Sequence, residues 1–316
     1  MPDAHLDGVA VIDKPPGMTS HDVVNYLRRA LGTKAIGHAG TLDPDATGVL
    51  ILAVGRATRL LRFIQSQKKT YLGKIHFGAQ TSSLDSSGEL LEAFDMTEVS
   101  KSDISSAMSH FLGRIEQLPP MVSSVKVNGV RLHKLARQGL EVERKPREVE
   151  IYDFSLTDIE YGQDQGIYFQ NTTGLDPYPA GPTVSVKVTC SSGTYIRSLA
   201  DDLGKLLKGG AFLSDLRRIS SGNFDISESL QLEEVSADKL LAPLRLVDFL
   251  PKVTVPADLL LDVTNGKVFY SHELSHQGSG PWVLLKEDGE LLAVYESYRD
   301  EAIKPIMVLR QYEKDV

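Results

Sequence analysis

The stretch from Gly37 to Gly48 combines a directed carboxylate with a glycine-rich loop. It runs Gly-His-Ala-Gly-Thr-Leu-Asp-Pro-Asp-Ala-Thr-Gly, and an unbroken apolar run of strand length, residues 49–54, follows it. Asp43 precedes Pro44, which favours an extended backbone and so fixes the direction of the carboxylate. A carboxylate held in this way could act as a nucleophile or a base. An aspartate that only forms a turn explains the same residues, so both interpretations stay open on this evidence.

Motifs for other kinds of chemistry are missing from the sequence. There is no Gly-x-Gly-x-x-Gly between a strand and a helix and no phosphate loop, and no Gly-x-Ser-x-Gly indicates an acyl-transfer serine. His38 and His76 do not form a metal-ligand spacing with a nearby carboxylate, and the single cysteine, Cys190, excludes a multi-cysteine zinc site. We therefore expect no metal and no cofactor. Glycoside hydrolysis by Asp43 with a second acid such as Asp85 stays an alternative.

Composition and length indicate an ordinary globular protein. The chain has 316 residues, 41% of them hydrophobic and 24% charged, and this length usually corresponds to two domains. Its N-terminus lacks the pattern of a signal peptide, and no apolar run approaches the roughly 18 residues of a membrane span. We expect a cytoplasmic protein that does not contact a membrane.

The charges are segregated along the chain. The net charge is −8, which at first argues against a nucleic-acid partner. However, basic residues dominate 56–74 and 126–147, whereas acidic residues gather at 85–103 and 225–248. Such segregation could give an acidic protein one basic face for a polyanion. Ordinary solvated surface explains the same pattern, and the two interpretations are equally supported.

Hydrophobic patterning predicts an α+β fold, with a mixed, largely antiparallel sheet and packed helices. We predict strands at 9–12, 49–54, 68–78, 122–127, 148–159 and 183–190, and a strand or edge segment within 213–224. We predict helices from 19 or 20 to 31 and at 57–67, 102–112, 130–138 and 195–207. A loop insertion is predicted at 162–181. We predict two domains, 1–248 and a small, mostly β domain at 249–316.

Six stretches, in order, resemble the motifs of one family, the TruB-type tRNA pseudouridine synthases. These enzymes convert uridine-55 in the TΨC arm of tRNA to pseudouridine. The matching stretches are 13–20, 37–50, 69–88, 120–137, 190–204 and 216–218. One such match would be suggestive, whereas six in the family's order are highly specific. One departure is Ala39, where the family commonly has threonine, and we expect this change to be tolerated.

The resemblance implies roles for the residues that match the family's central chemistry. Asp43 matches the catalytic aspartate, which acts as a nucleophile at the ribose or as the base in a glycal route. Tyr71 matches the tyrosine that stacks on the target base. Arg197 matches the arginine that pairs with the catalytic carboxylate. The turn-only interpretation of Asp43 therefore loses most of its support.

The resemblance also implies roles in binding the substrate. His38 matches the histidine linked to extrusion of the uridine, and Tyr195 and Leu216 match residues that line the uracil pocket. We assign supporting roles to Asp85 and Lys126, which lie in two of the matching stretches.

At the level of the whole chain, the resemblance implies an isomerase with a pseudouridine synthase fold and a small PUA-like C-terminal domain. It implies tRNA as the partner and requires no cofactor and no protein partner, so we expect a monomer. Two alternatives remain: a guide-RNA-dependent pseudouridine synthase subunit, and an RNA-binding or tRNA-folding module.

Overall fold

The computed structural model describes residues 6–123, 126–127, 130–132, 140, 142–161, 168–171, 174–177, 181–299 and 301–309. The α-helices are α1 (Ser20–Ala30), α2 (Leu61–Gln65), α3 (Lys101–Ser109), α4 (Ile196–Leu206) and α5 (Leu260–Thr264). Short 3₁₀ helices lie at Gly55–Leu60, Ile226–Glu228, Leu232–Glu234, Ala237–Lys239, Pro243–Leu246 and Ala257–Leu259.

The strands of the first half of the chain are β1 (Gly8–Lys14), β2 (Ile36–Ala39), β3 (Thr47–Val54), β4 (Lys69–Phe77), β5 (Ala79–Thr81), β6 (Leu90–Ala93), β7 (Gly113–Gln117), β8 (Lys126–Val127), β9 (Val130–Arg131) and β10 (Arg147–Glu160). They are followed by β11 (Tyr168–Asn171), β12 (Gly174–Pro177), β13 (Thr183–Cys190), β14 (Ala211–Ser221), β15 (Phe224–Asp225), β16 (Lys252–Thr254), β17 (Phe269–Tyr270), β18 (Trp282–Leu285), β19 (Leu291–Ser297) and β20 (Ala302–Val308).

Helix α1 shows how local sequence sets an element's boundaries. Thr19 is its N-cap, and the Thr19 and Asp22 side chains form a reciprocal capping box. Val23 and Leu27 are buried on one face of the helix. The helix ends just before Gly32, whose φ of +64° is a left-handed conformation that favours glycine. The predicted helix is confirmed.

The chain forms two compact units, each built from segments that are not contiguous in the sequence. The first unit comprises Met1–Pro44, Val49–Ser66 and Asn223–Val316, and the second comprises Asp45–Gly48 and Gln67–Gly222. The predicted division into domains 1–248 and 249–316 stays a prediction.

The second unit is built on an antiparallel sheet with the strand order β14-β4-β13-β10-β7. Helix α4 packs against β14, and α3 packs against β10. The strands alternate as a half-covered sheet requires: the register partners Tyr71 and Val188 are buried, whereas Leu72 and Lys187 are exposed. The first two residues of β3, Thr47 and Gly48, pair with β14 in the parallel direction.

The first unit contains the β2–β3 hairpin, β1 beside β3, and a sheet near the C-terminus. That sheet has the order β16-β18-β19-β20-β17 and is antiparallel except for the β16–β18 pair. Val11 and Ile51 share a hydrophobic core with Leu291 and Val294. The α+β class with mixed, largely antiparallel sheets and a mostly β C-terminal part is thus confirmed.

Several predicted elements are wrong in detail. The helix predicted at 57–67 is a 3₁₀ turn at 55–60 followed by α2, because apolar spacing over so few residues does not distinguish the two helix types. The predicted loop insertion, 162–181, contains the paired strands β11 and β12, since pairing overrides a composition rich in glycine and proline.

Two further predictions fall partly on residues that the structure does not describe. The predicted helix 130–138 begins instead with strand β9, and residues 133–138 lie outside the described residues. Of the predicted strand 122–127, only β8 is a strand, and residues 124–125 lie outside the description. In the part of the chain that is described, no helix is long and apolar enough to cross a membrane.

Candidate active site

Asp43 lies in the loop of a rigid hairpin. Strands β2 and β3 pair antiparallel from Ile36 with Val54 to Ala39 with Ile51. The loop between them leaves from a strand that is buried almost throughout. Asp43 itself is half-buried, and the next residue, Pro44, is exposed. The carboxylate is therefore presented near the surface by an element anchored in the core.

Hydrogen bonds hold the main chains of the residues on either side of Asp43. Lys14 is completely buried, and its Nζ donates to the carbonyl oxygens of Pro15 (2.8 Å), Met18 (2.7 Å) and Pro44 (2.8 Å). These bonds tie the turn that follows β1 to the position just after Asp43. Because a buried ammonium group needs such acceptors, Lys14 and the loop stabilise one another.

Ser20 holds the position before Asp43. Its Oγ accepts from the N–H of Leu42 (2.9 Å) and donates to the carbonyl of the same residue (3.2 Å). Lys14 and Ser20, which both lie in the first of the six matching stretches, 13–20, thus hold the main chains of both neighbours of Asp43. These bonds restrain the main chain on both sides of Asp43 and so limit the region that its carboxylate can reach.

The end of the loop is fixed within the second unit, to which Asp45–Gly48 belong. Thr47 and Gly48 are register partners of Arg217 and Arg218. Nη1 of Arg217 donates to Oγ1 of Thr47 (3.3 Å). Gly48 has a φ of +98°, and a Cβ there would lie 2.1 Å from the carbonyl oxygen of Arg218. Only glycine fits this close approach of two backbones.

Tyr71 and Leu216 lie on the same face of the second unit's sheet. Leu216 pairs with Gly73, and Arg218 pairs with Tyr71, so their side chains point to one side. Tyr71 is 7% exposed and Leu216 is half-buried. Gly73 lies close to β14, since a Cβ there would lie 3.3 Å from the Asp215 carbonyl oxygen and 3.7 Å from Cδ1 of Leu216. Tyr71 and Leu216 therefore lie near one another on one face of the sheet.

Arg197 is a buried cation, 4% exposed, in the first turn of α4. Its Nη1 donates to the Ser83 carbonyl (3.0 Å) and to Oδ2 of Asp85 (3.1 Å), and its Nη2 donates to the Val122 carbonyl (2.9 Å). The guanidinium therefore connects α4 to two loops of the second unit. Its planar fork makes such a multipoint connection rigid.

Asp85 completes this connection. Its Oδ2 accepts from Arg197, while its Oδ1 accepts from the Ser83 hydroxyl and from both the N–H and the hydroxyl of Ser87. The polar loop 81–88 thus fixes the Asp85 carboxylate, and this carboxylate in turn accepts from Arg197. The sequence predicts only a general supporting role for Asp85, whereas the structure shows that Asp85 pairs directly with Arg197.

Tyr195 is half-buried and is the N-cap residue of α4. Gln117, at the end of β7, bonds to its main chain, and the guanidinium of Arg147 lies 5.5 Å from the centre of its ring. No sequence motif singled out Gln117 or Arg147 for such a contact. The partners are distant along the chain, so local pattern carries no signal for it.

Burial shifts two titratable groups that lie beside Tyr71 in the sheet. Lys69 is 6% exposed, and burial, reinforced by the nearby charge of Arg218, lowers its pKa to about 8. Its register partner Cys190 is also buried, which raises the pKa of the thiol to about 11. The thiol is therefore protonated at neutral pH and is not activated as a nucleophile.

The predicted site residues form two groups. His38 and Asp43 lie on one hairpin of the first unit, and Tyr71, Asp85, Tyr195, Arg197 and Leu216 lie in the second unit. Lys126 lies on β8, and its side chain lies outside the description. Among the described residues, no group of three or more histidine, cysteine, aspartate or glutamate side chains could hold a metal ion.

Comparison with family models gives two matches along the chain. Residues 28–196 match the model of the TruB family pseudouridylate synthase N-terminal domain. Residues 197–262 match the model of the tRNA pseudouridylate synthase B C-terminal domain.

Curated relatives match most of the chain. The protein named tRNA pseudouridine synthase B from Symbiobacterium thermophilum is 44% identical over 83% of this chain and 83% of its own length. The protein of the same name from Thermobifida fusca is 40% identical over 96% of this chain and 98% of its own. That from Lactobacillus acidophilus is 38% identical over 98% and 100%.

Solved structures share the fold. A chain in the structure titled a Cbf5-Nop10-Gar1 complex superposes with a TM-score of 0.71 at 24% identity, covering 97% of this chain and 86% of its own. A chain in the structure titled H/ACA RNP bound to a substrate RNA containing 2'-deoxyuridine gives a TM-score of 0.68 at 23% identity, covering 98% and 86%.

Proposed function

The chain belongs to the TruB family of pseudouridylate synthases, and we propose that it isomerises uridine-55 in the TΨC arm of tRNA to pseudouridine. The observation that carries the proposal is the bracing of Asp43. In a chain of this family, the one carboxylate that matches the catalytic aspartate has both neighbouring main-chain positions fixed by Lys14 and Ser20. Relatives named tRNA pseudouridine synthase B support tRNA as the substrate.

Asp43 acts at the ribose of the target nucleotide. The reaction breaks the bond from N1 of uracil to C1' of the ribose, turns the base and forms a bond from C5 to C1', after which C5 loses its proton and N1 gains one. Asp43 either adds to C1', forming a bond that breaks when C5 attacks, or removes a proton from the ribose to give a glycal, which regains that proton when C5 bonds to C1'. Both routes need an ionised, directed carboxylate. Because the reaction rearranges one molecule, it requires no oxidant and no second substrate.

Tyr71, Leu216 and Tyr195 hold the uracil ring in this proposal. A base inside a folded arm must leave its stack before it can react, which costs a few kcal/mol. Stacking on an aromatic ring such as Tyr71 recovers roughly 1–3 kcal/mol. His38 assists the extrusion of the base, and Arg197 supports the pocket through its bonds to Asp85, Ser83 and Val122.

The phosphates of tRNA bind to basic residues of 56–74 and 126–147. Arg59, Arg62 and Lys68 are exposed in the first of these segments, where they can release counterions from an RNA backbone. A tRNA substrate would place the activity in the cytoplasm, and we propose that the monomer acts without a protein partner.

The purified chain incubated with unmodified tRNA transcript tests this proposal. We expect one pseudouridine, at position 55, and none in a matched transcript with cytidine at that position. Activity that appears only with added guide RNA and partner proteins would favour a guided synthase subunit instead. Tight tRNA binding without any isomerisation would favour an RNA-binding module.

A further inference from the structure

Both the oxygen and the nitrogen of the Gln117 side-chain amide form hydrogen bonds with the main chain of Tyr195. Its Oε1 accepts from the Tyr195 N–H at 2.7 Å, and its Nε2 donates to the Tyr195 carbonyl at 3.0 Å. Gln117 is completely buried. A buried amide with two such bonds holds one residue as a neighbouring β-strand would, and it loses both bonds if that residue moves.

These two hydrogen bonds lie where α4 begins. Tyr195 is the N-cap of this helix, and its own side chain makes no capping bond. Arg197 follows two residues later in the first turn. A second bond supports the same junction, because Oγ of Ser198 donates to the carbonyl of Leu118, the residue after Gln117 (3.0 Å). The end of β7 therefore fixes the helix turn that carries two of the predicted site residues.

The ring of Tyr195 is held from the adjacent strand. Arg147 on β10 is the register partner of Gln117 on β7. Its guanidinium lies 5.5 Å from the centre of the Tyr195 ring, within the range of a cation–π contact. Two paired residues thus hold Tyr195, one by its backbone and one by its ring.

We propose that Gln117 is a positioning residue for the isomerisation, acting through Tyr195 and the first turn of α4. This inference rests on the proposed function, in which Tyr195 lines the pocket for the target uracil. Catalytic geometry must be held within a fraction of an ångström, so a small displacement of that pocket wall slows the reaction. Gln117 itself is completely buried and cannot contact the RNA backbone, so we expect tRNA affinity to change little.

Two substitutions separate positioning from general stability. Q117M keeps the size of the side chain and removes both bonds. Q117E keeps an acceptor for the Tyr195 N–H, but its carboxylate faces the Tyr195 carbonyl without a donor. The matched control is Q80M, because Gln80 also donates to a residue of α4, Oδ1 of Asp201 at 3.0 Å, one turn further along the helix.

For Q117M we expect kcat to fall about 10–100-fold with tRNA affinity within about twofold of wild type. For Q80M we expect both quantities to stay within about twofold, with thermal unfolding showing how far each variant is destabilised. Equal kcat losses in Q117M and Q80M, or a wild-type kcat in Q117M, would overturn the assignment.

The pH profile of Q117E gives a readout that a purely structural role would not produce. Burial raises the pKa of a carboxyl group, and its protonated form again offers a donor and an acceptor, as the amide does. The kcat of Q117E relative to wild type should therefore rise as the pH falls from about 8 to about 6. A ratio that does not change with pH would contradict the proposal, even if Q117M fails to fold.

The two proposals fail in different ways. If wild-type protein does not isomerise uridine in tRNA, the proposed function is wrong and this inference falls with it. If wild type is active and both Gln117 variants behave like Q80M, only the role of Gln117 is wrong.

Discussion

Asp85 divides its two carboxylate oxygens between two tasks. One oxygen pairs with Arg197, and the other is held by Ser83 and Ser87. We expect Asp85→Asn to lower kcat at least about tenfold and the free energy of unfolding by about 1–3 kcal/mol, because Arg197 is left beside a neutral amide. Activity assays and urea unfolding measure the two effects. Asp215→Asn, at an exposed position of β14, is the control. An Asp85→Asn enzyme with wild-type kcat would show that this contact does not matter for turnover.

Tyr71 is predicted to serve turnover more than binding. Tyr71→Leu removes the ring that stacks on the flipped base but leaves the phosphate contacts, so we expect kcat to fall about 100-fold or more and tRNA affinity to change less than about threefold. Tyr161→Leu, which changes an exposed tyrosine just after β10 of the same sheet, is the matched control. Equal losses in kcat and in affinity for Tyr71→Leu would contradict the stacking role.

At the scale of single residues, the sequence predicts candidate chemical groups more readily than the contacts that support them. Asp43 was recognisable because Pro44 and the flanking glycines are its neighbours in the chain. Gln117 was not, because its partner Tyr195 lies 78 positions away. Lys14 belongs to a recognised stretch, but its bond to Pro44 spans 30 positions. Supporting contacts depend on folding, and a single sequence does not show which residues folding brings together.

Strand β4 carries a buried amine, and this makes the stability of the second unit depend on pH. The pKa of Lys69 is lowered to about 8, whereas it is about 10.4 in an unfolded chain. Between these values the unfolded state binds more protons, so this group makes stability rise with pH from about 8 to about 10.4. Below about pH 8 the buried charge costs roughly 3 kcal/mol.

Lys69→Met tests this dependence by removing the titrating group at similar volume. The difference in unfolding free energy, wild type minus variant, should become more favourable to wild type between about pH 8 and about pH 10. Urea unfolding at several pH values measures that difference. A difference that stays constant over this window would show that Lys69 titrates normally.

At the scale of elements, strands and helices with long, regular patterns were predictable. β13 alternates cleanly, and α1 has its cap and its glycine stop, so both were predicted almost to the residue. The hairpin of β11 and β12 was missed because its two strands pair with each other inside a segment whose composition favours a loop. Short elements depend on such pairing, which local propensity does not determine.

At the scale of the whole molecule, the net charge of −8 conflicts with an RNA substrate unless basic residues act locally. The proposal therefore predicts that tRNA affinity falls steeply with salt, and that replacing Arg59, Arg62 and Lys68 by glutamine reduces the slope of log K against log salt by about 2–3. Lys239→Gln, in the acidic segment 225–248, should leave the slope unchanged. Binding that is independent of salt would remove the argument from charge.

The large-scale organisation was only partly predictable. The mostly β nature of the C-terminal part followed from its short strands and turns. The sequence did not show that Val11 and Ile51 share a core with Leu291 and Val294, because these contacts join residues more than two hundred positions apart. Such contacts are decided by tertiary packing and leave no periodic signal.

The most direct test of the account is the isomerisation of uridine-55 in a tRNA transcript by Asp43→Asn, measured in a single turnover beside Asp45→Asn. Asp45 is an exposed aspartate of the same loop, two residues further on. We expect Asp43→Asn to lose at least about 1,000-fold in rate while binding tRNA within about threefold of wild type, and Asp45→Asn to stay within about threefold in both. An Asp43→Asn protein that still forms pseudouridine at a rate near that of wild type would contradict the central claim.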